Sequence, residues 1–364
     1  MRFPEFTDEW EQQRLNEYLE ENKTRNTKGL FYKKDVLSVS GDYGIVNQID
    51  LLGRSFAGVS VANYHVVRKG DIVYTKSPLK EYPYGIVKSN KGADGIVSTL
   101  YAVYETKSNT ISNFVEYYFA LASRTNKYFK PIVRIGAKHD MKIGNDEVLD
   151  NFVSFPKLDE QRKISDFLSL IEKRIVLQTK IIEKYKSLIK GIVVSITTET
   201  PNTRIDKCLV CHSSTLQENH IEDFGDFPVY GANGICGFTV NADFNEPAIL
   251  IVKDGSGVGN VRFVNDKYSV IGTQNILTPQ NRFCLKYIFY CLQAFNFMPY
   301  KTGMAIPHIY FKDYGKTKIY CPNFEQQVKI ASQIDLIESK IEIETQLLNK
   351  YGEQKKFLLS NMFI

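Results

Sequence analysis

The chain has 364 residues, 43% hydrophobic and 13% aromatic, which is too long for one ordinary domain and enough for two cores. Its formal charge of +5 is uneven: residues 23–142 carry 19 Lys and Arg against 9 Asp and Glu, whereas residues 203–320 carry 11 against 10. A basic first half favours a polyanion, most simply nucleic acid, and no apolar run approaches the roughly 20 residues of a membrane helix.

Taken in order, residues 2–22 are acidic, hold the single tryptophan, Trp10, and lead into the first globular part. Met1–Trp10 has no apolar core of a signal peptide, so a cytoplasmic chain with its six cysteines as thiols is expected. Short β-rich runs follow between turn signals: VLSVS (36–40), DIVYTKSP (71–78), YGIVKSN (84–90) and IVSTLYAVYE (96–105). Residues 113–123 read as a short buried aromatic helix, and 127–142 as a basic loop. A long helix opens after Pro156, with Asp159 and Glu160 at the positive end of its dipole. TTETPN (197–202) breaks it. The outline then recurs: FPVYGANGICGF (227–238), PAILIVKDGSGVGNVRFVN (247–265), an aromatic helix at 284–294 and the loop YKTGMAIPHIYFKDYGKTK (300–318).

The two long helices organise this pattern. Residues 156–193 recur at 322–359, an offset of 166, with Pro156/Pro322, Gln161/Gln327, Lys163/Lys329, Ile164/Ile330, Glu172/Glu338, Tyr185/Tyr351 and Lys190/Lys356 coinciding without a gap. The first has a seam of alternating four- and three-residue steps at Ile164, Leu168, Ile171, Ile175, Gln178, Ile182, Tyr185, Ile189 and Ile192. The second repeats it at Ile330, Ile334, Ile337, Ile341, Glu344, Leu348, Tyr351, Lys355 and Leu358. Such spacing is that of a coiled coil. In a symmetric antiparallel pairing Gln178 meets Glu344, each being the centre of nine positions, and one polar pair of this kind sets register. Lys355 departs from the apolar pattern, so the end of the second helix is expected to splay. The 29 residues from Ile164 to Ile192 make a rod of about 43 Å, against about 34–36 Å for a turn of B-DNA. The fold expected is α+β, with globular parts at 1–155 and 196–320 and helices at 156–195 and 321–364.

Three motifs invite catalytic or cofactor readings. Gly255-Ser-Gly-Val-Gly259 follows an apolar run as a phosphate loop would, but strand-like VRFVN comes next instead of a helix, so a hairpin turn is expected. Cys208-Leu-Val-Cys211-His212, with His220 nearby, matches a haem-attachment or metal pattern, yet no second cysteine pair closes a zinc site; two core thiols are expected. Asp94 with Glu105 and Lys107 has the spacing of a Mg-dependent nuclease, two carboxylates on the metal and a lysine steering water. The second half offers no counterpart, and a turn aspartate beside a solvated strand end explains it as well. What remains is a doubled set of basic and aromatic loop residues suited to phosphates and base edges: Lys76, Tyr82, Tyr84, Lys88, Arg134, Lys138, His139 and Lys142, then Lys253, Arg262, Asn275, Lys301, His308 and Lys312.

The two P-x-[LF]-[DE]-[EQ]-Q helix openings, Pro156–Gln161 and Pro322–Gln327, together with DEWEQQRL (8–15), FPVYGANGICGF and GDIVYTKSP, resemble the specificity subunits of type I restriction–modification systems, over essentially the whole chain. The resemblance implies a non-catalytic DNA-recognition subunit. Its target recognition domains, 1–155 and 196–320, each read half of a bipartite site in double-stranded DNA, and its spacer helices set the gap. It further implies docking of two methylation subunits, which bring S-adenosylmethionine, and of restriction subunits with ATP and Mg, with no cofactor in this chain.

Overall fold

The computed structural model describes residues 1–135, 141–217, 221–280 and 282–363. It is a mixed helix-and-sheet protein of two compact units, Met1–Leu177 with Leu348–Ile364, and Gln178–Leu347. The division runs through both long helices, Leu158–Thr197 and Phe324–Asn361, so each unit owns half of each.

The units are built alike. The first carries an antiparallel sheet in the order Leu19–Glu21, Ala102–Thr106, Ile72–Tyr74, Val87–Ser89. In the second the order is Leu209–Ser213, Gln274–Pro279, Ala248–Val252, Val261–Val264. By chain position both read first, fourth, second, third. The strand Ile72–Tyr74 and the run AILIV are buried at every residue, because successive side chains enter different cores. Ile72, Tyr74 and Tyr104 join the main core of their unit, while Val73 and Val103 join a smaller one behind the sheet. Ile249, Ile251 and Leu277 are divided in the same way from Leu250 and Ile276. Gly255–Gly259 lies in the turn between the antiparallel strands Ala248–Val252 and Val261–Val264, as its flanking alternation indicates.

Each sheet is covered by an aromatic helix, Ser112–Tyr118 or Leu285–Gln293. The first is shorter than the sequence suggests. Arg124 Nη1 donates to Tyr118 O (2.8 Å) and Thr125 Oγ1 to Phe119 O (2.7 Å), so side chains from a following helix, Ala122–Phe129, take up its terminal carbonyls and the chain turns.

The long helices complete both main cores. Ile164, Leu168 and Ile171 near the start of the first helix meet Leu358, Leu359, Met362 and Phe363 at the end of the second chain segment. In the other unit, Ala331 and Ile334 near the start of the second helix meet Val193 and Ile196 at the end of the first, with Ile189, Ile192 and Ile330 at the edge. All eighteen seam positions are buried or half-buried, including Ile175, Ile182, Tyr185, Ile337, Ile341, Leu348 and Tyr351. The helices run antiparallel: Lys355 Nζ reaches Glu172 Oε1 at 2.8 Å in the first unit, and Gln178 Nε2 donates to Glu344 O at 3.2 Å and to its carboxylate in the second. The expected splay after Lys355 does not occur. Its charge is matched by Glu172, and helix continues to Asn361 because Leu358 and Leu359 are anchored in the core.

Candidate nucleic-acid interface

One glutamine joins each globular part to its helix. Gln161 is fully buried; its Oε1 accepts from Thr110 Oγ1 (2.8 Å) and Ile111 N (3.2 Å), and its Nε2 donates to Pro156 O (2.9 Å) and Asn109 O (3.1 Å). Ile111 is the N-cap residue of the aromatic helix, so Gln161 pairs backbone groups that the helix start leaves without a partner. At the equivalent place Gln327 accepts from Cys284 N (3.0 Å), again an N-cap residue, and donates to Pro322 O (2.8 Å). This is why the helix openings share Pro and Gln five residues apart.

A second pair of contacts sits about three helical turns on, at Glu172 and Glu338. Tyr117 OH donates to Glu172 Oε2 (2.8 Å), and Tyr290 OH lies within hydrogen-bond distance of both Glu338 Oε2 (2.8 Å) and Asp335 Oδ1 (2.7 Å). Lysines accompany both: Lys91 with Glu116 (3.0 Å) and Glu172 (3.3 Å), Lys286 with Asp335 (3.2 Å). Burial works against ionisation of Glu172, but the charges of Lys355 and Lys91 outweigh it and hold the carboxyl below its ordinary range. Burial opposes the charge on Lys91 too, and Glu116 and Glu172 more than offset it. These groups fix the globular parts to the helices and leave the loops free for other work.

The residues expected to face DNA divide by environment. Arg134 and Lys142 are exposed and pair across a two-residue ribbon. Lys301 and Lys312 are exposed, the latter with its ammonium 5.1 Å from the Tyr310 ring centre. Lys253 and His308 are half-buried, and Ile309 N, next to His308, donates to Lys253 O (2.9 Å). Arg262 lies over the Tyr230 ring at 5.7 Å. Others are engaged within the fold. Asn275 is buried in the sheet and donates to Tyr314 OH (3.1 Å), so the loop position expected for it is corrected to a core position. Lys88 faces Glu116 at 3.7 Å, and burial lowers its pKa. Lys76 donates to Ile143 O (3.3 Å) and to the Asn145 side chain, with its pKa also lowered by burial. Tyr82 OH donates to Ala120 O (2.6 Å), and Tyr84 packs at the edge of the main core while its carbonyl accepts from Tyr74 OH. Lys138 and His139 lie outside the described residues.

The chemistry-bearing motifs fare differently. Asp94 Oδ1 accepts from Lys69 N (2.8 Å) and Lys107 Nζ donates to Asn16 O (2.6 Å), while Glu105 is the strand-register partner of Glu20; the nuclease reading is unsupported. Among the described residues no group of three or more His, Cys, Asp or Glu is placed to hold a metal ion. Cys208 is buried 3.8 Å from Cys321 Sγ, Cys211 is half-buried, and His212 Nε2 is 2.9 Å from Thr278 Oγ1; His220 lies outside the described residues. No helix among the described residues is long and apolar enough to cross a membrane.

Comparison with known proteins agrees with this construction. Residues 210–350 match the family model of the type I restriction modification DNA specificity domain. The specificity subunit of the type I restriction enzyme EcoprrI from Escherichia coli is 24% identical over 109 residues, 30% of this chain and 27% of that protein. That of HindI from Haemophilus influenzae is 23% identical over 158 residues, 41% of this chain and 34% of that protein. The aligned stretches thus span less than half of these relatives. The crystal structure of a type I restriction–modification system S subunit from M. genitalium has the same fold, with a TM-score of 0.63 at 15% identity, covering 100% of this chain and 99% of that one. Duplicated units on paired helices, the match over residues 210–350 and the shared fold all point the same way: the chain is similar to the specificity subunits of type I restriction–modification systems.

Proposed function

We propose that this chain is the non-catalytic DNA-reading subunit of a type I complex in which each unit recognises one half of a bipartite site. The observation that carries this reading is the duplication. Both units repeat one strand order, and their glutamine clamps stand 166 residues apart, so equivalent supports carry the loops of each unit. The paired helices set the unspecified spacer, and exposed Arg134, Lys142, Lys301 and Lys312 contribute phosphate contacts.

The same helices dock two methylation subunits. In support, exposed apolar side chains recur at equivalent positions: Leu170 and Leu336 are 56% and 62% exposed, Leu177 and Ile343 59% and 63%. Aliphatic groups left outside the seam at equivalent places suit two copies of one partner. S-adenosylmethionine belongs to those subunits, ATP and Mg to restriction subunits, and the complex works in the cytoplasm.

Methylation-site mapping in cells expressing the chain with its methylation subunit tests this. One bipartite motif of fixed gap, lost when the chain is omitted, is expected; insertion of equal short segments in both helices shifts the gap. A stable complex that methylates no bipartite motif sinks the proposal.

A further inference from the structure

The bridged loop Thr302–His308 of the second unit holds apolar side chains at an exposed tip. Residues 301–306 are all exposed; Met304 is fully so and Ile306 is 67% exposed. The loop is closed by a single antiparallel bridge, Thr302 N donating to His308 O (2.9 Å) and His308 N to Thr302 O (2.8 Å). Gly303 has φ +87°, and a Cβ there would lie 2.2 Å from Ile306 O, so the tip accepts only glycine at that position. Its base is tied to the glycine turn, Gly255 N donating to Pro307 O (2.9 Å). Exposed Lys301 and Lys312 flank the loop, and half-buried Lys253 lies at its base; the carboxylates on the same segments are Asp254, half-buried at the base, and Asp313. An apolar point between ammonium groups matches a nucleic-acid groove, where phosphates border the base edges.

We propose that Met304 and Ile306 are specificity-determining residues that contact thymine C5-methyl groups, with the loop in the major groove. The thymine methyl is the apolar group that the base edges of that groove display. Lys301 and Lys312 hold the flanking phosphates. This rests on the reading that the second unit recognises a half-site.

The full chain, with its methylation subunit, first selects its duplex from a random pool; each thymine of the selected site is then replaced by uracil, which lacks the methyl. For the wild type we expect uracil at one or two positions of a single half-site to weaken binding about 3- to 5-fold, the effect of one buried methyl. Met304→Ala or Ile306→Ala is expected to bind the thymine duplex weaker by a similar factor, to lose the uracil effect at those positions, and to leave the other half-site unchanged. The wild-type arm needs no variant, so a folding defect cannot mask the answer. No uracil-sensitive thymine, or an unchanged uracil profile in both variants, overturns the assignment. Weaker binding by the variants with an unchanged profile and reduced DNA bending points to a wedge between base steps, which also overturns it. Failure of the wild type to select any sequence sinks the DNA-reading proposal itself, whereas a selected bipartite site with variant-insensitive thymines sinks only the role of the tip.

Discussion

The unequal hydrogen bonding of the two clamps gives a quantitative test. Among the described residues Gln161 makes four side-chain hydrogen bonds and Gln327 two, although the residues occupy equivalent places. At about 1 kcal/mol for each neutral bond, Gln161→Ala costs the first unit about 4 kcal/mol and Gln327→Ala costs the second about 2 kcal/mol. Both substitutions strand buried backbone groups at a helix start, so the loss is not recovered from water. The chain reports the first unit selectively, because its single tryptophan, Trp10, packs edge-on against Phe114 and Phe363. Urea unfolding followed by tryptophan fluorescence then measures the first unit, and hydrogen exchange of the Leu285–Gln293 amides measures the second. With a urea slope of about 2 kcal/mol/M, Gln161→Ala moves the Trp10 midpoint down by about 2 M. A shift below about 0.5 M, or equal losses for the two substitutions, would show that the clamps do not join helix to globular part as described.

Three further outcomes follow from the same geometry. Because Glu172 ionises more readily when folded, its contribution is fully present above the ordinary glutamate pKa of about 4.3 and is lost as pH falls through the lower folded value. The Trp10 midpoint in urea should therefore fall on acidification below that range, and Glu172→Gln should flatten that fall; an unaltered pH profile refutes it. Replacing Gln178 and Glu344 together by Leu is expected to raise stability by about 1 kcal/mol while loosening helix register, since a part-buried polar pair gives way to apolar packing. A lower melting temperature, or cross-links between engineered cysteines that stay in one register, counts against it. Lys301→Ala is expected to weaken binding to all duplexes alike and to reduce the slope of log affinity against log salt by about 1, measured by fluorescence anisotropy. A change confined to one sequence would mark Lys301 as a base reader instead.

Legibility from sequence followed the range of the interaction. The seam of both helices and the central Gln178–Glu344 meeting were readable because a heptad is a local, periodic signal, and the 166-residue offset paired the two copies without a structure. The strands were readable from apolar runs between turns, and the glycine-rich segment from the alternation that follows it. Pro156 and Gln161 stood out as a repeated spelling, but their work, pairing the N-cap backbone of a helix some fifty residues upstream, involves a partner no local pattern names. Lys355 looked like a break in the seam for the same reason: its match, Glu172, is 183 residues away.

Surface residues were the least legible. Charge and loop position selected Asn275 and Lys88 together with Lys301 and Lys312, because residue type alone does not tell a satisfied buried group from a free one. Met304 and Ile306 were passed over, since apolar residues in a basic loop read equally well as core. Sequence by itself determined the elements, the duplication and the helix pairing, all set by short-range spacing. Only the tertiary structure decided which polar groups are spent on holding each unit together and which side chains are left for a partner, because desolvation and hydrogen-bond pairing depend on neighbours that the chain brings together from far apart.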